Sequence, residues 1–335
     1  EVQLIAYILF SHSAGTIAMS ENFVILDCDI GTDDAWALLM LIKAEKLKNY
    51  KILGVTCVSG NTTVDNAALN TLRVLSTVDR TDIPVFKGAH GPIFVERRIS
   101  HFHGKDGLGD CGHRQQADPN LIQKKHAVNA MYDFVCQYPN KITLILVGPL
   151  TNAALCINMY PDFAKKLKDV FIMGGNTKGI GNATQSAEFN FYTDPEAAYI
   201  VLSKTPCPIT ILPWETILNI HLQDWRFDVL GSANNRITNL LNAAEKNVYE
   251  KRRNLWNPCD AILTAIFLFP VRVIKQESHW HATVEIHGTY TRGQMVLDHL
   301  KKNKNNVRII DKVDSEEFKD IALWTEIPSE PHFYD

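Results

Sequence analysis

Four aspartates, Asp27, Asp29, Asp33 and Asp34, stand within eight positions of one another in FVILDCDIGTDDAWALL, residues 23–39. Anions this close repel, so some must be protonated or a cation must sit among them. A hard divalent cation with oxygen ligands, Ca²⁺ or Mg²⁺, is the natural partner. The apolar run into Asp27 reads as a buried strand, and Gly31 as part of a tight turn. The new apolar period from Ala35 reads as a helix starting near Asp33. Asp33 by itself would read as a helix cap or a first-turn acid favoured by the helix dipole. Asp29 and Asp34 beside it turn the stretch toward chemistry.

Such a cluster needs a rigid frame. Apolar runs at 51–58, 83–86, 142–147, 169–173 and 209–212 read as further strands. Helical spacing at 64–78, 126–138, 237–255, 260–269 and 315–323 alternates with them or follows them. Asp194 followed by Pro195 looks like a capped helix start. Residues 283–286 and 307–310 are strand-like. The alternation predicts an α/β fold: a single domain with an open, mostly parallel, Rossmann-like central sheet flanked by helices. In such a sheet the carboxyl ends of the strands share one edge, where ligands bind. Asn61, Val147 and the segment from Gly174 all follow strands, so they should converge with the aspartates. The irregular segment 87–119, with HFHGKDGLGDCGH at its centre, is too long for a plain connection and is expected to be functional.

At 335 residues, with 46% hydrophobic and 21% charged residues, the chain can bury a full core and suits a globular enzyme. A net charge of −3 gives no electrostatic case for nucleic acid or an anionic membrane as partner. The seven cysteines are scattered and form no CxxC pair, which argues against a disulfide scaffold or a zinc site. A reducing, cytoplasmic setting fits them better. Residues 4–10 are apolar and 11–18 small or polar, like the end of a secretory signal peptide, but no basic segment precedes them. The expected organisation is an N-terminal extension, 1–21, ahead of a catalytic domain, 22–335. Secretion is the alternative if 1–18 is a signal-peptide remnant. No later segment has the unbroken apolar length of a membrane span. Lys251, Arg252 and Arg253 read as a solvated helix face, and His12, His279, His281 and His287 show no partner pattern.

These residues resemble the nucleoside hydrolases, the inosine-uridine-preferring family that cleaves ribonucleosides to base and ribose. DCDIGTDDAWAL looks like the family's opening motif. Gly60-Asn61, HFHG at 101–104, GPLTN at 148–152, MGG at 173–175, AEFNFYTDPEAA at 187–198 and CDA at 259–261 follow in the family's order. The resemblance spans residues 22–330, and AEFN followed by DPEAA is its most specific part beside the aspartates.

The resemblance implies Ca²⁺ held by Asp29, Asp34, Asp260 and the backbone carbonyl of Val147. It implies that Asp29 takes a proton from a Ca²⁺-bound attacking water. Asp33, Asn61, Glu188 and Asn190 would hold the ribose hydroxyls, with Asn182 near the 5′-hydroxyl and Asp27 orienting its neighbours. A small ribonucleoside partner, a homodimer or homotetramer, and a place in nucleotide salvage and purine metabolism are implied with them. The chemistry agrees: C–N cleavage develops positive charge on the ribose, which carboxylates and carbonyls stabilise.

At the leaving base the chain departs from the family's better-known branches, which carry His or Trp before the last metal-binding Asp. Here that residue is Cys259, the mark of a third subgroup. A buried thiol is a poor acid beside anions. His103 is the candidate contact on the base side and is counted with Asp29, Asn182 and Glu188 as catalytic; Trp214 or Tyr249 could stack on the base. Asn61 and Asn182 also lie in glycosylation sequons, which a pocket role would make coincidental. Two other readings compete. One is a haloacid-dehalogenase-like phosphatase, with Asp27 as nucleophile and Asp29 as acid. The other is a non-catalytic Ca²⁺- and ribose-binding relative.

Overall fold

In β1 (Asn22–Cys28) every residue after Asn22 is buried, and both faces are covered. Val24 and Leu26 enter one hydrophobic cluster while Phe23 and Ile25 enter another, as the two-residue period of a strand requires. A strand packed on both faces reads as a continuous apolar run, which is why its sequence is so legible. A computed structural model describes residues 22–94, 96, 99–112, 117–218, 220–249 and 256–327. The extension 1–21, His113 and the basic run Lys251, Arg252 and Arg253 lie outside them.

The other strands are β2 (Tyr50–Cys57), β3 (Val85–Lys87), β4 (Ile122–Gln123), β5 (Ile142–Leu146), β6 (Asp169–Met173) and β7 (Ile209–Leu212). They are followed by β8 (Ile274–Trp280), β9 (Ala282–Val284), β10 (Met295–Leu297) and β11 (Val307–Val313). Among the described residues, nine strands form one sheet in the order β4-β3-β2-β1-β5-β6-β7-β11-β8. Every pairing in it is parallel except β11 with β8. The expected open, mostly parallel sheet is therefore the one observed. Strands β9 and β10 form a separate antiparallel pair. The chain order runs outward from β1 in both directions, so the crevice at the ends of β1, β2 and β5 is the point where ligands bind in such sheets.

The helices are α1 (Thr32–Ala44), α2 (Val64–Thr77), α3 (Ala127–Gln137), α4 (Thr151–Met159), α5 (Phe189–Thr193) and α6 (Pro195–Lys204). After them come α7 (Trp214–Ile217), α8 (Gln223–Asp228), α9 (Arg236–Tyr249), α10 (Cys259–Leu268), α11 (Pro270–Val273) and α12 (Ser315–Glu326). Asp194 caps α6 as expected, accepting the Ala197 N–H at 3.0 Å, with Pro195 in the first turn. Helix α10, apolar nearly all round, is buried along its length except at Phe267. Strand β8 was not legible: it is an edge strand with exposed positions on both faces, so it carries no apolar run.

Candidate active site

The aspartates occupy the exit of β1 and the first turn of α1. Asp27, fully buried, receives Oδ1 hydrogen bonds from the Thr56 hydroxyl at 2.6 Å and the Asn152 amide at 2.8 Å. Burial pushes its carboxyl up to about 7 against those two bonds. Asp34 accepts the Gly31 N–H at 2.7 Å and the Asp29 N–H at 3.2 Å, so it closes the helix start itself. Asp29 accepts the Asn61 N–H through Oδ2 at 2.6 Å, while its buried Oδ1 has no protein partner. Asp33 does not cap: Gly31 holds that position.

Asp260, at the start of α10, completes the group. Carboxylate oxygens of Asp33, Asp34 and Asp260 lie within 4.8 Å of one another. Burial, then the charges of neighbouring aspartates, raises the carboxyls of Asp29 and Asp260 well above the carboxylate range; Asp34 is held at about 7. A buried all-oxygen set with mutual repulsion and an orphaned oxygen on Asp29 fits a hard divalent cation. Asp33, expected on the sugar alone, joins this group and also lines the cavity, whereas Asp29 is not among the three. The Val147 carbonyl, the fourth expected ligand, accepts the Asn190 amide at 3.0 Å and retains a second lone pair.

A cavity of about 560 Å³ opens over the group, and Asp33, Asn61, Glu188, Asn190 and Asp260 share its wall. They come from α1, the turn after β2, α5 with its cap, and α10, so tertiary folding joins what the sequence spreads over 200 positions and more. Glu188 caps α5 by accepting the N–H groups of Asn190 and Phe191, and it also accepts that of Gly175 at 2.9 Å. Burial pushes Glu188 up to about 7. Asn182 is exposed at the rim, its carbonyl oxygen holding the Phe189 N–H at 2.8 Å.

Phe102, His103, Trp214 and Tyr249 add aromatic rings to the cavity lining. The segment 101–112 reaches it as a self-bonded loop. Asp106 and Asp110 each accept two backbone N–H groups within it, and Leu108 is its buried anchor. Gly109 lies at φ +84, and a Cβ there would meet the Ala244 carbonyl at 1.9 Å, so only glycine allows the loop to seat on α9. His103 Nδ1 accepts the Thr32 N–H at 3.3 Å, which leaves the ring proton on Nε2, 3.6 Å from Asp33 Oδ1. Burial lowers its pKa despite Asp33, so it is a neutral donor. Burial also raises the Cys259 thiol, which donates to the Asn257 carbonyl and stays protonated. Phe102 and Thr193, inside the HFHG and AEFNFYTDPEAA stretches, and Asn257, which no motif marked, also line the cavity; the buried Thr193 hydroxyl has no protein partner.

Residues 24–320 match the model of the inosine-uridine preferring nucleoside hydrolases. The chain belongs to that family. Its members hydrolyse ribonucleosides, which makes the chain an enzyme of N-glycosidase type and removes the phosphatase reading of Asp27 and Asp29. A pyrimidine-specific ribonucleoside hydrolase RihA of Escherichia coli O81 is 33% identical over 306 residues, 89% of this chain and 96% of that protein. The RihA of Salmonella arizonae is 35% identical over the same shares. Among solved structures, an inosine-guanosine nucleoside hydrolase superposes with a TM-score of 0.84 at 27% identity, covering 91% of this chain and 98% of that one. A plant nucleoside hydrolase gives 0.82 at 24%, covering 92% and 100%, and supports the fold. Among the described residues no helix is long and apolar enough to cross a membrane.

Proposed function

We propose that the cavity cleaves the N-glycosidic bond of ribonucleosides to free base and ribose, with Ca²⁺ held by Asp29, Asp34, Asp260 and the Val147 carbonyl. The observation that carries this reading is the shared wall of Asp33, Asn61, Glu188, Asn190 and Asp260 above a buried carboxylate group. When bound, the cation supplies Lewis acidity and a fixed point for the sugar diol. Asp29, with an unpartnered oxygen, takes the proton of the attacking water. Asp33, Asn61, Glu188 and Asn190 bind the ribose hydroxyls and Asn182 the 5′-hydroxyl. These contacts tighten as positive charge develops on the sugar, so binding becomes rate. His103 offers its Nε2–H on the base side, and Phe102, Trp214 and Tyr249 enclose the leaving base.

The test is release of free ribose from a panel of purine and pyrimidine ribonucleosides, with 2′-deoxyribonucleosides as controls and a chelator arm. Expected are turnover of at least one ribonucleoside, loss with chelator and recovery with Ca²⁺. Deoxyribonucleosides should be slower by about 10²–10³-fold. Ribonucleoside binding without ribose release in the presence of Ca²⁺ would make the chain a binding relative and overturn the reading.

A further inference from the structure

Outside the cavity lining, among α1, α8 and α9, lies a second polar cluster with no part in the chemistry above. Arg226 on α8 is fully buried, its guanidinium 5.5 Å from the Trp36 ring and 5.8 Å from the Trp256 ring. Its Nε donates to Glu245 Oε2 at 2.7 Å and its Nη2 to Asn242 Oδ1 at 2.9 Å. Glu245 Oε1 accepts both indole N–H groups, from Trp36 at 2.9 Å and from Trp256 at 3.1 Å. An indole nitrogen only donates, so a buried Trp must find an acceptor. One carboxylate serves both indoles and the guanidinium.

Three of the bonded segments, all but α8, also reach the cavity. Trp36 stands two residues after Asp34 on α1. Trp256 leads directly into Asn257, Cys259 and Asp260. Tyr249 stands one turn beyond Glu245 on α9 and lines the cavity. Asn247, also on α9, donates to the Gly109 carbonyl at 2.7 Å and so ties in the loop bearing Phe102 and His103.

We infer that Glu245 is a positioning residue for the nucleoside site. It holds the Asp33–Asp34 end of α1, the approach to Asp260 and the Tyr249 end of α9 in one mutual placement. The inference rests on the ribonucleoside reading of the cavity. Removing its charge takes away the carboxylate that bonds the buried Arg226 guanidinium and unbalances the cluster on which both indoles rest. A displacement of about 1 Å at a reacting centre costs on the order of 10²-fold in rate.

The test compares Glu245→Gln, Trp36→Phe and Trp256→Phe with the wild-type chain, each assayed well below its own melting temperature. The readouts are kcat and KM for ribose release, and the affinity of the metal-stripped protein for Ca²⁺ alone by calorimetry. Glu245→Gln keeps an acceptor for the indoles and drops the charge; each Phe variant deletes one N–H. Expected are a loss in kcat of about 10–100-fold and weaker Ca²⁺ binding in Glu245→Gln. Smaller losses of the same kind are expected in the Phe variants. A packing role alone would lower the melting temperature and leave kcat, KM and Ca²⁺ affinity within about twofold. That result in the folded variants overturns the inference. Should Glu245→Gln not fold, the two Phe variants carry the test with the same outcomes. A wild-type chain that binds Ca²⁺ yet releases no ribose refutes the ribonucleoside reading, and the Ca²⁺ affinities still decide the role of Glu245.

Discussion

Asp29 Oδ2 accepts the backbone N–H of Asn61 at 2.6 Å, so the exit of β1 and the turn after β2 meet at one carboxylate. That bond fixes one oxygen of Asp29 and leaves the other, Oδ1, without a protein partner. Asp29→Asn keeps an acceptor for Asn61 but cannot take a proton. Its kcat should fall by about 10²–10⁴-fold while the fold survives. Steady-state kinetics beside a melting curve checks this, and near-wild-type turnover would remove Asp29 from the proton step.

Gly60 makes that arrangement possible. A Cβ at this position would sit 2.1 Å from Asp29 Oδ2 and 2.8 Å from Pro149 Cδ. Gly60→Ala must therefore push Asp29 aside, and kcat should drop by roughly 10²-fold. Unchanged kcat would show that the turn yields instead of the carboxylate.

Asp34 and Asp260 lie in the carboxylate group, their pKa values raised by burial first and by the neighbouring aspartates second. Asp34→Asn and Asp260→Asn should weaken Ca²⁺ binding by more than the ~10–100-fold typical of residues that only support a ligand. Calorimetry on the metal-stripped protein measures it directly. Equal affinity in both variants would place the ion elsewhere.

Glu188 supplies a pH dependence whose sign can be worked out. Burial raises its carboxyl from 4.5 to about 7. Between those values the folded chain binds more protons than the unfolded one, so this group's stabilisation is present below about 4.5 and lost as pH rises through about 7. The melting temperature of Glu188→Gln relative to wild type should rise from pH 5 to pH 8, roughly the span of that titration. Activity should run the opposite way: kcat/KM falls as pH drops below about 7, where the ionised carboxylate is lost. A stability difference that stays flat across the range would contradict the raised pKa.

Much of the frame was open to inspection in the chain itself. Strand β1 announces itself because burial on both faces demands an unbroken apolar run, and the acids come where that run meets the sheet edge. The cap at Asp194 is local, made by a side chain bonding an N–H three residues on. Such short-range patterns are written in spacing.

What the residues do to one another was not. The grouping of Asp33 with Asp34 and Asp260, the neutral His103 held by Thr32, and the seating of Gly109 on α9 depend on how layers pack. Glu245 is the clearest case. As one acid in a polar helix it reads as a solvated side chain, yet it is buried against Trp36, 209 positions away. Periodicity tells which face of a helix turns inward. Only the packed volumes of the opposing elements decide which partner waits there, and so whether a buried charge is compensated.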